Sequence, residues 1–123
     1  MADWYARPIF AVADVPTALS YYVDRLGFTC DWSFDEAGAT FVAQVSRAGC
    51  EVILGSQWPD RNGQSTLFVS LDLPVLQALR DELEARKVDI ETGWWGYDLL
   101  IVTDPDGNRL YFPYPNAEVV ETN

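Results

Sequence analysis

Histidine is absent from this chain of 123 residues, and its absence excludes more chemistry than any other feature of the composition. Without histidine there can be no Ser-His-Asp or Cys-His triad, no imidazole general base, and no use of the commonest transition-metal ligand. The two cysteines, Cys30 and Cys50, fit neither a CxxC nor a zinc spacing and are too few for a disulfide framework. They are interpreted as free, buried thiols.

Positive charge is scarce as well, because 8 Lys and Arg residues stand against 19 Asp and Glu, giving a net charge of −11. Such a balance repels phosphate backbones and anionic lipid headgroups, so neither nucleic acid nor a membrane is expected as a partner. No apolar run approaches the ~18 residues of a membrane span, and residues 1–5 do not resemble a signal peptide. We therefore expect a cytoplasmic protein.

Apolar residues, by contrast, are plentiful, at 49% hydrophobic and 14% aromatic. This content rules out a disordered chain, and the length suits one domain, which we predict to span residues 1–123. The sequence also contains a repeat. Asp-Val-Pro at residues 14–16 corresponds to Asp-Leu-Pro at residues 72–74, and Gly49 to Gly107, with a common offset of 58 residues (72 against 14, 107 against 49) and no gap in the apolar pattern.

Each repeat has the pattern of a βαβββ unit. A short apolar strand precedes an aspartate that can cap a helix and a proline that suits its first turn. Helices are predicted over residues 14–26 and 73–87, each followed by three strands. The repeat modules span residues 6–56 and 66–114, and residues 57–65 connect them. The prediction is an α+β fold in which the two βαβββ repeats form a curved eight-stranded sheet around a cleft, with helices on the convex face.

The duplicated βαβββ pattern, the Asp-Val-Pro motif, the helix end at Leu26-Gly27-Phe28 and Asp-Pro-Asp-Gly-Asn at residues 104–108 resemble the vicinal oxygen chelate superfamily over residues 7–113. This superfamily includes glyoxalase I, extradiol dioxygenases and metal-free bleomycin-resistance proteins. The resemblance implies that its metal-ligand positions fall near four residues, which are Arg7, Ile53, Ser65 and Tyr111. These side chains are poor ligands for a divalent metal, so neither a metal nor another cofactor is expected.

Aromatic side chains dominate what remains of the expected site. The resemblance likens the Trp95-Gly96 pair to the element of bleomycin-resistance proteins that stacks on the drug, and Phe41 to its partner in the stack. For Trp32, Phe41 and Phe68, core packing is the alternative interpretation. Nearby carboxylates favour cationic planar ligands. The predicted ligand-binding residues are Trp32, Phe41, Glu51, Phe68, Trp95, Tyr97 and Tyr111.

We therefore predict a metal-free protein that binds a planar aromatic, cationic small molecule, such as a bleomycin-type antibiotic, without altering it, and that forms a homodimer. Two alternatives stay open. In the first alternative, the chain is a lyase or isomerase that works without a metal, with Glu51 and Tyr111 as acid or base. In the second, Trp94 or Trp95 contacts a protein partner.

Overall fold

The computed structural model describes residues 3–115, so the predicted domain of residues 1–123 extends beyond the described range at both ends. The strands are β1 (Ile9–Ala11), β2 (Thr29–Glu36), β3 (Ala39–Arg47), β4 (Cys50–Gly55), β5 (Thr66–Phe68), β6 (Ile90–Trp94), β7 (Asp98–Thr103) and β8 (Arg109–Pro113). The α-helices are α1 (Val15–Ser20) and α2 (Leu73–Ala85). A π-helical turn (Tyr21–Arg25) continues α1, and a 3₁₀ turn (Pro59–Arg61) precedes β5. Within residues 3–115, no helix is long and apolar enough to cross a membrane.

The described chain divides into two compact units. The first unit comprises the residues up to Ser65 together with the segment Asp104–Asn108, and the second comprises the remainder. Sheet 1, in the first unit, has the strand order β1-β4-β3-β2, and sheet 2, in the second unit, has the order β5-β8-β7-β6. In both sheets the first strand is parallel to the fourth and the other pairs are antiparallel. The α+β fold of two βαβββ repeats is therefore confirmed, and the sheets are not closed.

The first helix begins and ends where the sequence predicts. The Asp14 carboxylate accepts a hydrogen bond from the Thr17 amide at 3.0 Å, which caps the helix N-terminus, and proline occupies the first turn. The helix end is followed by Gly27 at a φ of +73°, a conformation that glycine adopts without steric strain. Between these points the Leu26 amide bonds to the carbonyl of Tyr21 at 3.2 Å, which is the five-residue spacing of a π-turn.

Sheet 1 has one apolar face and one mixed face. Ala43, Val45, Val52 and Leu54 are fully buried and alternate along β3 and β4, and α1 packs against these two strands. The intervening residues of β3 and β4 lie on the opposite side. We call this side the far face, and its members on the two strands include Val42, Gln44, Ser46, Glu51 and Ile53.

Sheet 2 repeats this division. Leu100, Val102, Leu110 and Phe112 are buried on one face, and α2 contributes Leu76 and Leu83 to the buried residues. On the other face, Ile101 of β7 lies between Tyr111 of β8 and Glu91 of β6 in the strand register. A Cβ added to Gly93 of β6 would lie 2.7 Å from the Ile101 Cδ1 atom, so a larger residue there would require the end of the isoleucine side chain to move.

Two tight turns shape sheet 1. Ala37 and Gly38 connect β2 to β3, and Ala48 and Gly49 connect β3 to β4, and all four residues have positive φ. Two-residue turns with this backbone match the twist of antiparallel strands. Residues 35–40 are therefore strand ends joined by a two-residue turn.

The gapless offset of 58 residues between the repeats does not hold for every strand. Ile9 pairs with Ile53, and Phe68 pairs with Tyr111, so Phe68 follows its counterpart Ile9 by 59 positions (68 against 9). Gln44 pairs with Ile53 in sheet 1, and Ile101 pairs with Tyr111 in sheet 2. Tyr111 follows Ile53 by 58 positions, but Ile101 follows Gln44 by only 57 (101 against 44). The turn between β7 and β8 accounts for the shift, because it contains residues 105–107, one more than the turn between β3 and β4.

The turn at residues 104–108 is built around a buried carboxylate. Asp104 Oδ1 accepts hydrogen bonds from the backbone amides of Asp106, Gly107 and Asn108, each at 2.9 Å. Its Oδ2 accepts from the Tyr22 hydroxyl at 2.9 Å and from Asn108 Nδ2 at 3.1 Å. Asn108 Nδ2 also donates to the carbonyl of Ala11 at 3.0 Å. The turn is thereby fastened to the end of β1 and to the helix that follows it.

We expect the Tyr22–Asp104 contact to make stability decline in alkali. Burial, together with the Asp104 charge, raises the pKa of Tyr22 well above its usual value. Below about pH 10 the phenol is protonated in both folded and unfolded chains; above it only the unfolded chain ionises, so unfolding becomes easier as pH rises. Tyr22→Phe should lower the free energy of unfolding by about 1.5–3 kcal/mol at pH 7 through loss of the hydrogen bond. Urea titrations should show this deficit shrinking by pH 11; a constant deficit would contradict the assignment.

Candidate functional site

A row of side chains crosses the far face of sheet 1 from one edge to the other. The strand register places Ile9 beside Ile53, Ile53 beside Gln44, and Gln44 beside Trp32. Directly paired residues point to the same side of a sheet, so these four side chains share the far face. Ile9 is 49% exposed, and Ile53 and Trp32 are half-buried. The row thus forms an accessible surface that combines apolar and polar groups.

Gln44 is the centre of a hydrogen-bonded network on this face. Its Oε1 accepts from Arg7 Nη1 at 2.7 Å, and its Nε2 donates to Asp31 Oδ2 at 2.9 Å and to Glu51 Oε2 at 3.1 Å. Carboxylates only accept and a guanidinium only donates, so the amide can take only this orientation. Gln44 is 4% exposed, and all its polar groups have partners that satisfy them. Ser46 Oγ adds a bond to Asp31 Oδ1 at 2.8 Å.

A bulge in β2 brings Asp31 into this network. Cys30 pairs with Val45 and Trp32 with Gln44, which leaves Asp31 as an additional residue on the β2 side. At such a bulge, two successive side chains can point to the same face of a sheet, and those of Asp31 and Trp32 both lie on the far face. The Trp32 ring lies 5.5 Å from that of Phe34, which is 60% exposed. An aromatic pair therefore adjoins the polar network at the sheet edge.

The side chains at the four positions implied by the resemblance are poor donors for a divalent metal. Arg7 is a cation already bonded to Gln44, and Ile53 offers only hydrocarbon. Ser65 offers a neutral hydroxyl, and the Tyr111 hydroxyl lies 3.5 Å from Arg109 Nη1. Divalent metals need carboxylate, imidazole or thiolate donors, which these residues lack. Within residues 3–115, no three His, Cys, Asp or Glu side chains are grouped to hold a metal ion.

The second unit carries a cluster of exposed aromatic rings. The Phe68 ring lies 5.6 Å from Trp95, in edge-on geometry, and 6.0 Å from Tyr97. Trp95 is 64% exposed and Phe68 39% exposed. The turn between β6 and β7 holds them in place, with a hydrogen bond of 3.0 Å from the Trp95 amide to the Tyr97 carbonyl and Gly96 at a φ of +72°. We call Phe68, Trp95 and Tyr97 the aromatic cluster.

Trp94 occupies a different position from its neighbour. It ends β6 opposite Asp98 and is 67% exposed. An open groove of about 560 Å³ runs beside it, lined by Thr92, Gly93, Trp94, Asp98, Leu99 and Tyr114. Trp94 forms no ring contact with Phe68, whereas Trp95 does. The two adjacent tryptophans therefore expose separate surfaces of the second unit.

Of the remaining predicted site residues, Phe41 and Glu51 belong to the first unit and Tyr111 belongs to the second. Phe41 is half-buried at a second bulge, in β3, where Phe34 pairs with Val42 and Asp35 with Thr40. Glu51 belongs to the Gln44 network in the first unit. Tyr111 is half-buried in β8, and its register partner in β5 is Phe68.

Sequence reasoning did not select Gln44, Asp31 or Phe34 for the site. A signal for Gln44 was available, since it is the one polar residue in an otherwise apolar segment at residues 41–45. A polar side chain in the middle of a buried strand needs partners, which directs attention to the charged residues on adjoining strands. The role of Asp31 depends on the bulge, which the sequence pattern did not reveal.

The two βαβββ units define a class of protein that is built from a duplicated module. The family is shown by sequence. Residues 5–118 match the family described as "Glyoxalase superfamily protein". The chain belongs to the glyoxalase superfamily.

Solved structures of similar fold agree with this assignment. An antibiotic-binding protein from Streptomyces sp. CB03234 shares 22% identity at a TM-score of 0.72, with 94% of this chain and 99% of that chain covered. The bleomycin-binding protein of Streptomyces verticillus, solved with copper(II)-bleomycin, shares 24% identity at a TM-score of 0.72, with 94% and 100% covered. Lactoylglutathione lyase from Agrobacterium tumefaciens shares 14% identity at a TM-score of 0.66, with 92% and 95% covered. No curated protein sequence matches the chain significantly.

Proposed function

We propose that this protein binds a planar aromatic, cationic small molecule and holds it without chemical change, as an antibiotic-sequestering protein does. A bleomycin-type antibiotic is the ligand class we favour. The observation that carries the proposal is the exposed aromatic cluster in the second unit, with Trp95 at its most accessible point.

The geometry of the cluster suits a stacked ligand. Phe68 meets Trp95 edge-on, which supports the indole from one side and leaves most of its surface accessible. An exposed indole gains by burying its surface against a planar ring, and a cationic ring adds an attraction to the indole face. The net charge of −11 further favours a cation over an anion at long range.

Solved structures of similar fold also favour a binding function. One is the structure of an antibiotic-binding protein, and another is that of a bleomycin-binding protein. Similarity to a lyase is also found, at lower identity. Glu51, the acid proposed for a metal-free enzyme, accepts a hydrogen bond from the Gln44 amide. A binding role accounts directly for the exposed rings of the aromatic cluster.

The proposal includes a homodimer in the cytoplasm. Large apolar side chains outside the aromatic cluster are exposed in both units, among them Trp4, Leu73 and Val75. Association of two copies would remove some of this surface from water.

The test replaces one of two adjacent tryptophans of similar exposure. Trp95→Ala should weaken the binding of copper(II)-bleomycin and of the planar cation ethidium by about tenfold or more, because a stacking surface of one indole is lost. Trp94→Ala, the matched control, should change the affinity less than twofold. Isothermal titration calorimetry gives the affinities, and thermal unfolding with and without each compound checks them, because a ligand that binds the folded chain raises its melting temperature.

Three results would contradict the proposal. The first is equal loss of affinity in both tryptophan variants, and the second is the absence of any binding by the wild-type protein. The third is a chemically changed compound recovered after incubation, measured by mass spectrometry in the presence of a chelator, which would favour the metal-free enzyme with Glu51 and Tyr111.

A further inference from the structure

The far face of sheet 1 holds one arginine in a fixed position. Arg7 donates through Nη1 to Gln44, and its Cζ atom lies 4.8 Å from the centre of the Tyr5 ring. A hydrogen bond on one side and an aromatic ring on the other restrict the guanidinium, which otherwise has large rotational freedom. The side chain nevertheless remains exposed. This is the arrangement of a cation that is oriented before any ligand arrives.

Arg7 is connected to the Asp31 and Glu51 carboxylates through the side-chain amide of Gln44 and not through a direct ion pair. Asp31 and Glu51 bond to Nε2 of Gln44, while Arg7 bonds to its Oε1. A direct ion pair would have occupied the guanidinium fork. Instead, one of its five N–H donors is used by Gln44, which leaves the others for an acceptor. Within residues 3–115, Arg7 takes part in no ion pair.

An aromatic surface lies on the other side of Gln44. Trp32 is the register partner of Gln44 on β2, and its ring contacts Phe34. Neighbouring strands are about 4.8 Å apart, so the indole and the guanidinium flank Gln44 within the length of one small aromatic molecule. The apolar residues Ile9 and Ile53 complete the row beneath such a molecule.

We propose that this part of the far face is a binding site for a planar aromatic molecule that carries a carboxylate. The ring lies against Trp32 and Phe34, and the carboxylate accepts hydrogen bonds from Arg7. A carboxylate is the acceptor that a guanidinium binds most strongly, because two parallel hydrogen bonds can form. The site belongs to the first unit, whereas the aromatic cluster belongs to the second, so this proposal does not rest on the proposed function.

The two carboxylates that bond to Gln44, those of Asp31 and Glu51, should lower the affinity of this site for an anion. Their repulsion of the ligand carboxylate is weaker than the attraction to Arg7, because Arg7 contacts the ligand directly in the proposed site and Coulomb energy falls with distance. Removing one of these charges without removing its hydrogen bonds should therefore tighten the binding of a carboxylate. Asp31→Asn does so, since its amide oxygen can still accept from Gln44 and its amide nitrogen can donate to the Ser46 hydroxyl oxygen.

The experiment uses three probes that share one ring system: anthracene-2-carboxylate, anthracene-2-carboxamide and 2-(aminomethyl)anthracene. Fluorescence titration measures their affinity for the full chain. Because the aromatic cluster is proposed to bind planar cations, the probes are ranked in the Trp95→Ala protein, in which we expect the carboxylate to bind best and the ammonium compound worst. Arg7→Gln should weaken the carboxylate about tenfold and the carboxamide less, with no loss for the ammonium compound. Arg7→Lys should restore part of the loss.

Further variants separate this site from the aromatic cluster. Asp31→Asn should tighten the carboxylate a few-fold, Trp32→Ala should weaken all three probes, and Trp95→Ala should leave the carboxylate unaffected. Thermal unfolding confirms that each variant is folded. The proposal is overturned if Arg7→Gln weakens all probes equally, which indicates a structural role, or if none binds. It is also overturned if, in the Trp95→Ala protein, the ammonium compound binds best and Asp31→Asn weakens it, which assigns the face to a cation.

Discussion

Asp104→Ala is expected to destabilise the protein by about 4 kcal/mol or more. The substitution removes the acceptor of the Asp106 and Asn108 backbone amides and of the Tyr22 hydroxyl, together with one bond of the Asn108 side-chain amide. The Gly107 amide loses its bond to the carboxylate and keeps its bond to the Asp104 carbonyl. Asp104 is 5% exposed, and Tyr22 and Asn108 are fully buried, so water cannot replace the carboxylate without opening the structure. Each unsatisfied buried group costs about 1–3 kcal/mol, with only partial additivity within one network. A loss of this size is a large part of the stability of a typical domain.

Two companion variants make the Asp104 prediction specific. Asp104→Asn retains an oxygen for the three backbone amides but turns a donor toward Asn108, so it should cost about half as much. Asp89→Ala removes an exposed carboxylate and should change stability by less than about 0.5 kcal/mol. Urea unfolding followed by circular dichroism gives all three values. A cost below about 1 kcal/mol for Asp104→Ala would show that the turn does not depend on its carboxylate.

The order of the elements could be predicted because local signals mark it. Asp14 and Gly27 delimit the first helix by capping chemistry, and strand alternation follows from burial on one face. The register of sheet 2 could not be obtained in the same way. One additional turn residue shifts β7 relative to its repeat counterpart, and apolar residues at successive positions, such as Leu99, Leu100 and Ile101, conceal the change.

The Asp-Pro-Asp-Gly-Asn segment shows a second limit of sequence reasoning. Its composition indicates a turn, and the structure contains one. The composition gives no sign that Asp104 bonds to Tyr22, 82 positions away, or that Asn108 bonds to Ala11. Contacts between residues so far apart arise from the tertiary fold, and no local pattern encodes them.

The candidate site was predictable to a similar extent. Trp95 and Tyr97 could be selected because exposed aromatic residues beside glycine at a turn are unusual, and the structure places both rings beside Phe68. The Gln44 network joins residues from β2, β3 and β4 with Arg7 before β1. Its assembly needs both the strand order and the bulge at Asp31, which lie beyond what residue spacing reveals.

Gly63 is a position where the backbone leaves no room for a side chain. A Cβ atom there would lie 1.9 Å from the carbonyl oxygen of Asp106 and 2.8 Å from its carbon, both of which belong to the backbone. Gly63 also has a φ of +74°, and its amide donates to the carbonyl of Ala11 at 3.2 Å. The segment is therefore fixed against β1 on one side and against the turn at residues 104–108 on the other.

Gly63→Ala should consequently lower the free energy of unfolding by about 3–4 kcal/mol or more. The left-handed backbone accounts for about 1–2 kcal/mol of this, and displacement of the Asp106 carbonyl accounts for the rest. Gly38→Ala is the matched control, because Gly38 has a φ of +81° but open space around its Cβ position. It should cost only the backbone contribution. Urea titration of both variants measures the two losses in the free energy of unfolding. Equal losses would contradict the prediction, because the clash with the Asp106 carbonyl would then add nothing to the backbone strain that both substitutions cause.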